Sequence, residues 1–282
     1  TATRADSIGV LVGTIVQWAE TAVSWVLLFF AELYGKVFGI SSGITWALAY
    51  MSLALAVAVI LAYPTRRQLE MQRLVWQCTP LKLQVAKSLK NDRAARKAAR
   101  KEIDEFTGYN PWLQILPVLV SFAVFLALNA VIDGISTNEP AGVFAWSQNA
   151  DLMADAHDAS IFGVPFYGTF LQASATPNPT ATRILIVVLL AAMMYINWQW
   201  QRQLNGKLSE SKLVRRQQQI PLFIGPIALF VLVLVFDAAV GTMIFLMASD
   251  LFNYVIFNYV IQTIWLSRRP ITPVDPAFIE RL

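Results

Sequence analysis

The chain has 282 residues, 56% hydrophobic and only 14% charged, with a formal net charge of +4 and a mean hydropathy of +0.53. A soluble domain of this length carries roughly a quarter charged residues, so the composition argues against that class and points to an integral membrane protein, whose apolar segments, taken below, read as the helices of an all-α fold. A single cysteine, Cys78, excludes an intramolecular disulfide and a cysteine-based metal cluster, and a single histidine, His157, leaves almost no conventional metal or acid–base chemistry.

The sequence opens on Thr rather than Met, which leads us to expect further residues upstream, and the residues after it hold no cleavable signal pattern. The first element, "IVQWAETAVSWVLLFFAELYGKVFG" (15–39), contains Glu20, Glu32 and Lys36 around a short apolar run. It reads as an amphipathic helix lying in the membrane interface, with a sixth span as the alternative. A helix needs about 20 apolar residues at 1.5 Å each to cross a hydrocarbon core of about 30 Å. Residues 44–63 meet this without a charge, and 112–132, 184–200, 221–236 and 240–265 are further spans. Five spans are therefore expected, with Tyr63, Trp112, Trp198, Trp200 and Trp265 near their ends, where interfacial aromatics gather.

Between the first two spans, 64–110 reads as two helices. Leu69, Arg73, Trp76, Leu81, Leu83 and Val85 form a partly apolar stripe on the first, which Pro80 should kink or split. Asn91-Asp92 makes a turn and N-cap for the second, 93–106, which sets Ala94, Ala95, Ala98 and Ala99 beside a basic face and finishes at Gly108. The pair forms an αα-hairpin. Its basic residues Arg93, Arg96, Lys97, Arg100 and Lys101 read either as a solvated face or as contacts to anionic lipid head groups, at about 1 kcal/mol each near the surface. Asn110-Pro111 then caps the second span and supplies its first residue.

Lys and Arg set the orientation. Nineteen of the 22 basic residues fall in 64–110, 201–219 and the 266–282 tail, whereas 133–182 holds none and carries Asp133, Glu139, Asp151, Asp155 and Asp158. The basic side is cytoplasmic, so the N-terminal region is expected outside and the C-terminus inside a bacterial plasma membrane. Topology accounts for the positive charge, and no nucleic acid is needed. Cys78 reads as a small side chain on the hairpin. His157 with Asp155 and Asp158 reads as a solvated acidic loop in preference to a cation site, and Asp237 as a hydrated residue of the tight turn between the last two spans.

The order of parts resembles the YidC/Oxa1/Alb3 family of membrane protein insertases. The likeness rests on an apolar span ending "AYPTRRQ", the basic hairpin, Asn110-Pro111, Pro117 and Phe125-Leu126-Ala127-Leu128, then "DASIFGVPF" (158–166) and "VGTMIFLMASDLFNYVIFNYVIQ" in the last span, and it covers about 20–266. The resemblance implies one membrane domain over the whole chain, whose five helices surround a hydrophilic groove open to the cytoplasm and lipid. A client's polar segment enters the groove and then slides into the bilayer. Neither covalent chemistry nor a cofactor is implied, so no enzyme is expected.

Two departures matter. The groove arginine that the family commonly keeps in its first span falls at Val59, and the family's Gln and following Pro in the second span fall at Ser121 and Ala123. Asp250 is gained instead, an acid at mid-helix that costs about 2.5–3.5 kcal/mol on insertion scales unless it faces protein or water. Candidate groove residues are Ser121, Asn129, Asn197, Asp250 and Asn253, the last two one turn apart on one face. The alternative for each is a hydrogen bond holding helix to helix, at around 0.6 kcal/mol.

The expected activity is that of an insertase or intramembrane chaperone. Its partners would be nascent or newly made membrane proteins and anionic lipids, with a translocon, a ribosome or a stable membrane complex as further possibilities. A divergent accessory or structural subunit of a larger membrane complex is the main rival. A cation-coupled transporter using Asp250 is the weaker one, since no repeated pair of broken helices is found.

Overall fold

The computed structural model describes residues 2–37, 42–107, 110–137, 139, 141–145, 149–206 and 227–260. In chain order they form α1 (Ala2–Glu32), ending in a π-helical turn at Leu33–Val37, then α2 (Ser42–Ser88), α3 (Arg93–Thr107) and α4 (Pro111–Thr137). A 3-10 turn (Gly142–Ala145), α5 (Ala150–Asp158), strands β1 (Ser160–Ile161) and β2 (Val164–Pro165), and a second 3-10 turn (Ala173–Ala175) come next. The last elements are α6 (Pro179–Gly206), α7 (227–235) and α8 (Val240–Val260). The chain divides into two compact units, one of residues 1–60, 119–197 and 226–252, the other of 61–118, 198–225 and 253–282.

Among the described residues, three helices are long and apolar enough to cross a bilayer: Gly43–Gln68 of α2, the part of α4 from Ile115, and Pro179–Gln199 of α6. The apolar part of α8, Val240–Ile256, is shorter. Of the remaining expected span, 227–235 is helical and 221–226 lies outside the described residues, as do 207–219, 261–265, the 266–282 tail and Gly108.

In the first unit each helix buries one stripe at three- and four-residue spacing, as a single packed face requires. Trp46, Ala49, Tyr50, Leu53 and Ala54 of α2 meet Phe125, Leu128 and Ile132 of α4, Ile186, Leu190 and Met193 of α6, and Ile244, Phe245 and Ala248 of α8 in one core. Val23, Leu27, Leu28 and Ala31 bring α1 into that core, while Trp18, Trp25 and Phe29 remain exposed on it. The outward faces of the other helices are apolar too: Leu55, Val59 and Ile60, then Phe122 and Leu126, then Ile184, Val187 and Val188. A water-soluble protein rarely leaves so much contiguous apolar surface uncovered, whereas hydrocarbon covers it at no cost. Gly241 allows the closest approach, because a Cβ there would sit 2.7 Å from Tyr50 Cζ and 3.0 Å from Ile132 Cδ1.

The stretch expected as an acidic loop is instead a folded cap on one end of this unit. Trp46 Nε1 donates to Asp155 Oδ2 at 2.9 Å, and the Tyr50 and Phe166 rings lie 5.4 Å apart. Gly142, at φ +61, lets the 3-10 turn press against α1, where Val143 N donates to Ser24 Oγ at 3.0 Å. The first turn of α8 is completed by the cap. Val240 N donates to Gly168 O and Gly241 N to Phe166 O, each at 2.9 Å, which satisfies two of the N–H groups that every helix start leaves open. In the α7–α8 turn, Asp237 takes a left-handed conformation, φ +43. Its carboxylate accepts from Thr169 Oγ1 at 2.8 Å and Leu171 N at 3.2 Å. It therefore ties the turn to the cap, beyond the hydrated role expected for it.

The second unit contains the αα-hairpin. Cys78, Leu81 and Val85 of α2 pack on Ala99 and Ile103 of α3, and Lys82 pairs with Asp104 beside them. Asp92 is the N-cap of α3, its Oδ1 accepting from Ala95 N at 2.9 Å. Asn110 is the N-cap of α4, its Oδ1 accepting from Trp112 N at 3.0 Å, with Pro111 in the first helical position. The side chains of Leu69, Arg73, Trp76 and Pro80 lie outside the description. Pro80, expected to kink or split this helix, does not split it. α2 runs unbroken from Ser42 to Ser88, because a proline removes one hydrogen bond and packing on either side holds the rest of the ladder.

Cys78 is 1% exposed. Burial pushes its thiol up, and the nearby Lys82 ammonium draws it back only in part. Little thiolate exists at neutral pH, and thiolate is the species that alkylates. A maleimide added at pH 7 is expected to leave Cys78 unlabelled in the folded protein and to label it fully in sodium dodecyl sulfate. Mass spectrometry reads both states.

Candidate functional site

The polar residues of the apolar helices differ in what their side chains meet. Asn129, on α4, is fully engaged: its Nδ2 donates to Phe236 O at 3.2 Å, and its Oδ1 accepts from Thr242 Oγ1 at 3.2 Å and Ala239 N at 3.5 Å. It holds α4 to the α7–α8 turn at the capped end. Beside it a small polar cavity of about 290 Å³ is lined by Asn129, Asp133, Ser136, Thr169, Gln172 and Asp237 among others, and none of Ser121, Asn197 and Asp250 lines it.

Asn197 Oδ1, Ser249 Oγ and Asp250 Oδ2 behave in the opposite way. All three are buried and have no hydrogen-bond partner among the described residues. Their depth comes from the helix rise of about 1.5 Å per residue. From the Asn129–Ala239 level, Asp250 lies about 16 Å further along α8. Asn197 lies about 22 Å along α6 from Thr182, which the cap holds through Thr176 at 2.9 Å. Half of a hydrocarbon core is about 15 Å. Measured along their helices, the unpartnered atoms therefore stand at least that far from the capped end. Ser121 is exposed, about 12 Å from Asn129 along α4.

Asn253, in the second unit, is half-buried. Val59, at the place of the missing arginine, is 64% exposed, between exposed Leu55 and Ile60. On α3, Arg93, Arg96, Lys97, Arg100 and Lys101 line one open groove with Asp104 and Glu105, beside the packed stripe of Ala99 and Ile103. The structure thus sets five cations along one side of one helix, as the sequence pattern requires.

The His157 cluster is divided by its partners. Asp155 accepts from Trp46, while His157 pairs with Asp158 at 3.2 Å and stacks on Tyr167. No group of His, Cys, Asp and Glu suited to a metal ion exists among the described residues. Sequence reasoning did not single out Ser249 as a candidate; its signal was its place beside Asp250 within an apolar run. Thr242, which closes the Asn129 network, carried no signal at all.

Residues 37–267 match the family described as 60Kd inner membrane protein. The chain is 26% identical over 283 residues to the membrane protein insertase YidC of Streptomyces avermitilis, covering 96% of this chain and 63% of that relative. It is 28% identical over 280 residues to the membrane protein insertase YidC of Tropheryma whipplei strain Twist, covering 93% and 86%. It therefore spans a little under two thirds of the Streptomyces protein's length. No solved structure matches.

Proposed function

Since the chain belongs to the 60Kd inner membrane protein family, the YidC/Oxa1 group, we propose that it acts as a membrane protein insertase or intramembrane chaperone. It is a multi-pass protein of the bacterial inner membrane. The clients are newly made membrane proteins. In this reading five spans cross the bilayer, α1 lies at the interface, the cap faces outward and the basic hairpin faces the cytoplasm, where its cations meet anionic lipid head groups.

One observation carries the proposal. Asn197 Oδ1, Ser249 Oγ and Asp250 Oδ2 are buried among apolar helices without partners among the described residues. A polar group in hydrocarbon is costly until water or a ligand meets it. A client's polar segment supplies those hydrogen bonds as it passes, while the packed cap closes the other end. The segment then meets fewer unsatisfied positions than in lipid, which lowers the barrier to its crossing. Binding and release are the whole of the chemistry.

A second reading rests on Val59. The place of the groove arginine is taken by an exposed valine in an exposed apolar face of α2, which suits a partner helix of a larger complex as well as lipid.

Photocrosslinking in the native membrane separates the two, with probes at Val59, Ser121 and Asp250 and on the Arg93–Lys101 face. The insertase reading expects a ladder of many newly made membrane proteins at Ser121 and Asp250. One stoichiometric partner at Val59, with Ser121 and Asp250 silent, would replace it with the subunit reading.

A further inference from the structure

The hairpin β1–β2 turns through two residues, pairing Ser160 with Pro165 and Ile161 with Val164. Both turn residues are left-handed, Phe162 at φ +54 and Gly163 at φ +75. A two-residue turn of this hand favours Asn or Asp before Gly, and a bulky aromatic there is a backbone outlier. The Phe162 side chain gains nothing from the protein in return, since it is 84% exposed, more so than any other large apolar residue described. The residues around it are the reverse: Ala159, Val164 and Phe166 are buried in the core, and β2 leads directly to the two hydrogen bonds that complete α8. A rigid support holds out one strained, uncovered phenylalanine.

Its height relative to the membrane is fixed by Gly43. A Cβ at Gly43 would overlap the Ser160 carbonyl oxygen, so β1 rests directly on the first turn of α2. Gly43 is also the first residue of the apolar stretch Gly43–Gln68, and the neighbouring Ile44 is exposed. Phe162 is two residues from Ser160, within about 7 Å of that end even if fully extended. The head-group band on each side of a bilayer is of order 5–7 Å deep. The hairpin tip therefore lies close to that band, within reach of a phenylalanine side chain.

We propose that Phe162 is a membrane-interface anchor, which seats the capped end of the protein on the lipid surface by apolar insertion alone. No Lys or Arg occurs in 133–182, and the nearest in sequence, Arg183, lies 21 residues on in α6, so the contact at the hairpin itself is apolar and is expected not to depend on anionic lipid, unlike the basic row on α3. The hairpin thus sets how deeply the span beside it sits.

The test uses the full chain with Cys78→Ala, reconstituted in zwitterionic phosphatidylcholine vesicles and spin-labelled at Phe162→Cys or, for comparison, at Asp158→Cys. Collision with oxygen and with a water-soluble nickel chelate gives the depth of each label. The label at 162 is expected to favour oxygen severalfold over the label at 158, with no change on adding anionic lipid or 0.5 M salt (roughly a 4 Å screening length). Equal, water-like accessibility at the two sites would overturn the proposal. So would strong dipolar broadening at 162, which would place a second copy of the chain there. A second variant guards against a label that disturbs the turn. Phe162→Asn relieves the left-handed strain, so the fold is kept or strengthened, yet a label at Ser160→Cys is expected to move toward water. An unchanged depth at that position would equally reject the anchor.

Discussion

Asp250→Leu is expected to stabilise the protein while removing its capture of clients. The carboxylate lies in the apolar run of α8, its buried Oδ2 unpartnered among the described residues. Its removal relieves an insertion penalty of about 2.5–3.5 kcal/mol and the 1–3 kcal/mol attached to an unsatisfied buried group, terms that overlap and do not add. At roughly 2–4 °C per kcal/mol for a chain of this size, the thermal midpoint in detergent should rise by about 5 °C. In parallel, the crosslinked ladder at Ser121 should weaken by tenfold or more. Asp250→Asn separates charge from hydrogen bonding, since the amide keeps an acceptor and loses the charge. The decisive comparison is the sign of the two effects. A fall in midpoint with an intact ladder would assign Asp250 to holding helices together, because only a residue with partners in the folded state is missed when it is removed. Function that opposes stability at one residue is the mark of a site maintained for its ligand.

Gly241→Val is expected to do the opposite: lower stability steeply without touching a polar group of the proposed groove. The added side chain would begin 2.7 Å from Tyr50 Cζ and 3.0 Å from Ile132 Cδ1, a conflict of the kind that costs about 1–3 kcal/mol in a packed core. Displacing the start of α8 also strains the Gly241–Phe166 and Val240–Gly168 hydrogen bonds, each contributing about 0.5–1.5 kcal/mol. The midpoint should fall by about 10 °C, and limited proteolysis should begin to cut within 139–182. Gly241→Ala should be milder, and Ile132→Val should partly rescue the valine variant. Normal stability of Gly241→Val would mean that α8 does not approach α2 and α4 so closely.

The parts legible in the sequence are those whose physics is local. Asp92 and Asn110 cap α3 and α4 because each cap needs only a side-chain oxygen and N–H groups two or three residues on. The apolar stretches on α2, α4 and α6 stood out because length and hydropathy are properties of a single segment. The cap on 139–182 was not legible. Val143, Phe144, Val164, Phe166 and Ala173 follow neither a two-residue nor a 3.6-residue period. Phe144 packs on Trp46 and Phe166 on Tyr50, about a hundred residues earlier in the chain. The same division runs through the candidate site. A polar residue in an apolar run is visible at once, and Asn129, Asn197 and Asp250 look alike in that respect. Whether its hydrogen bonds are met depends on distant segments: Asn129 finds Phe236 and Thr242, while Asn197 Oδ1 and Asp250 Oδ2 find none among the described residues.

The completion of α8 by the cap sets an order of assembly. The carbonyls of Phe166 and Gly168 that receive the first N–H groups of α8 belong to a segment synthesised some seventy residues earlier. A helix start that lacks such acceptors near hydrocarbon is unfavourable, so α8 has a finished seat only after the cap has folded. Of the described helices, α8 is therefore the last to lock. Until it does, the Asn129 carboxamide and the cap carbonyls face a vacancy shaped for one helix, and the protein that would assist the insertion of others depends for its own final step on an already built receptor within itself.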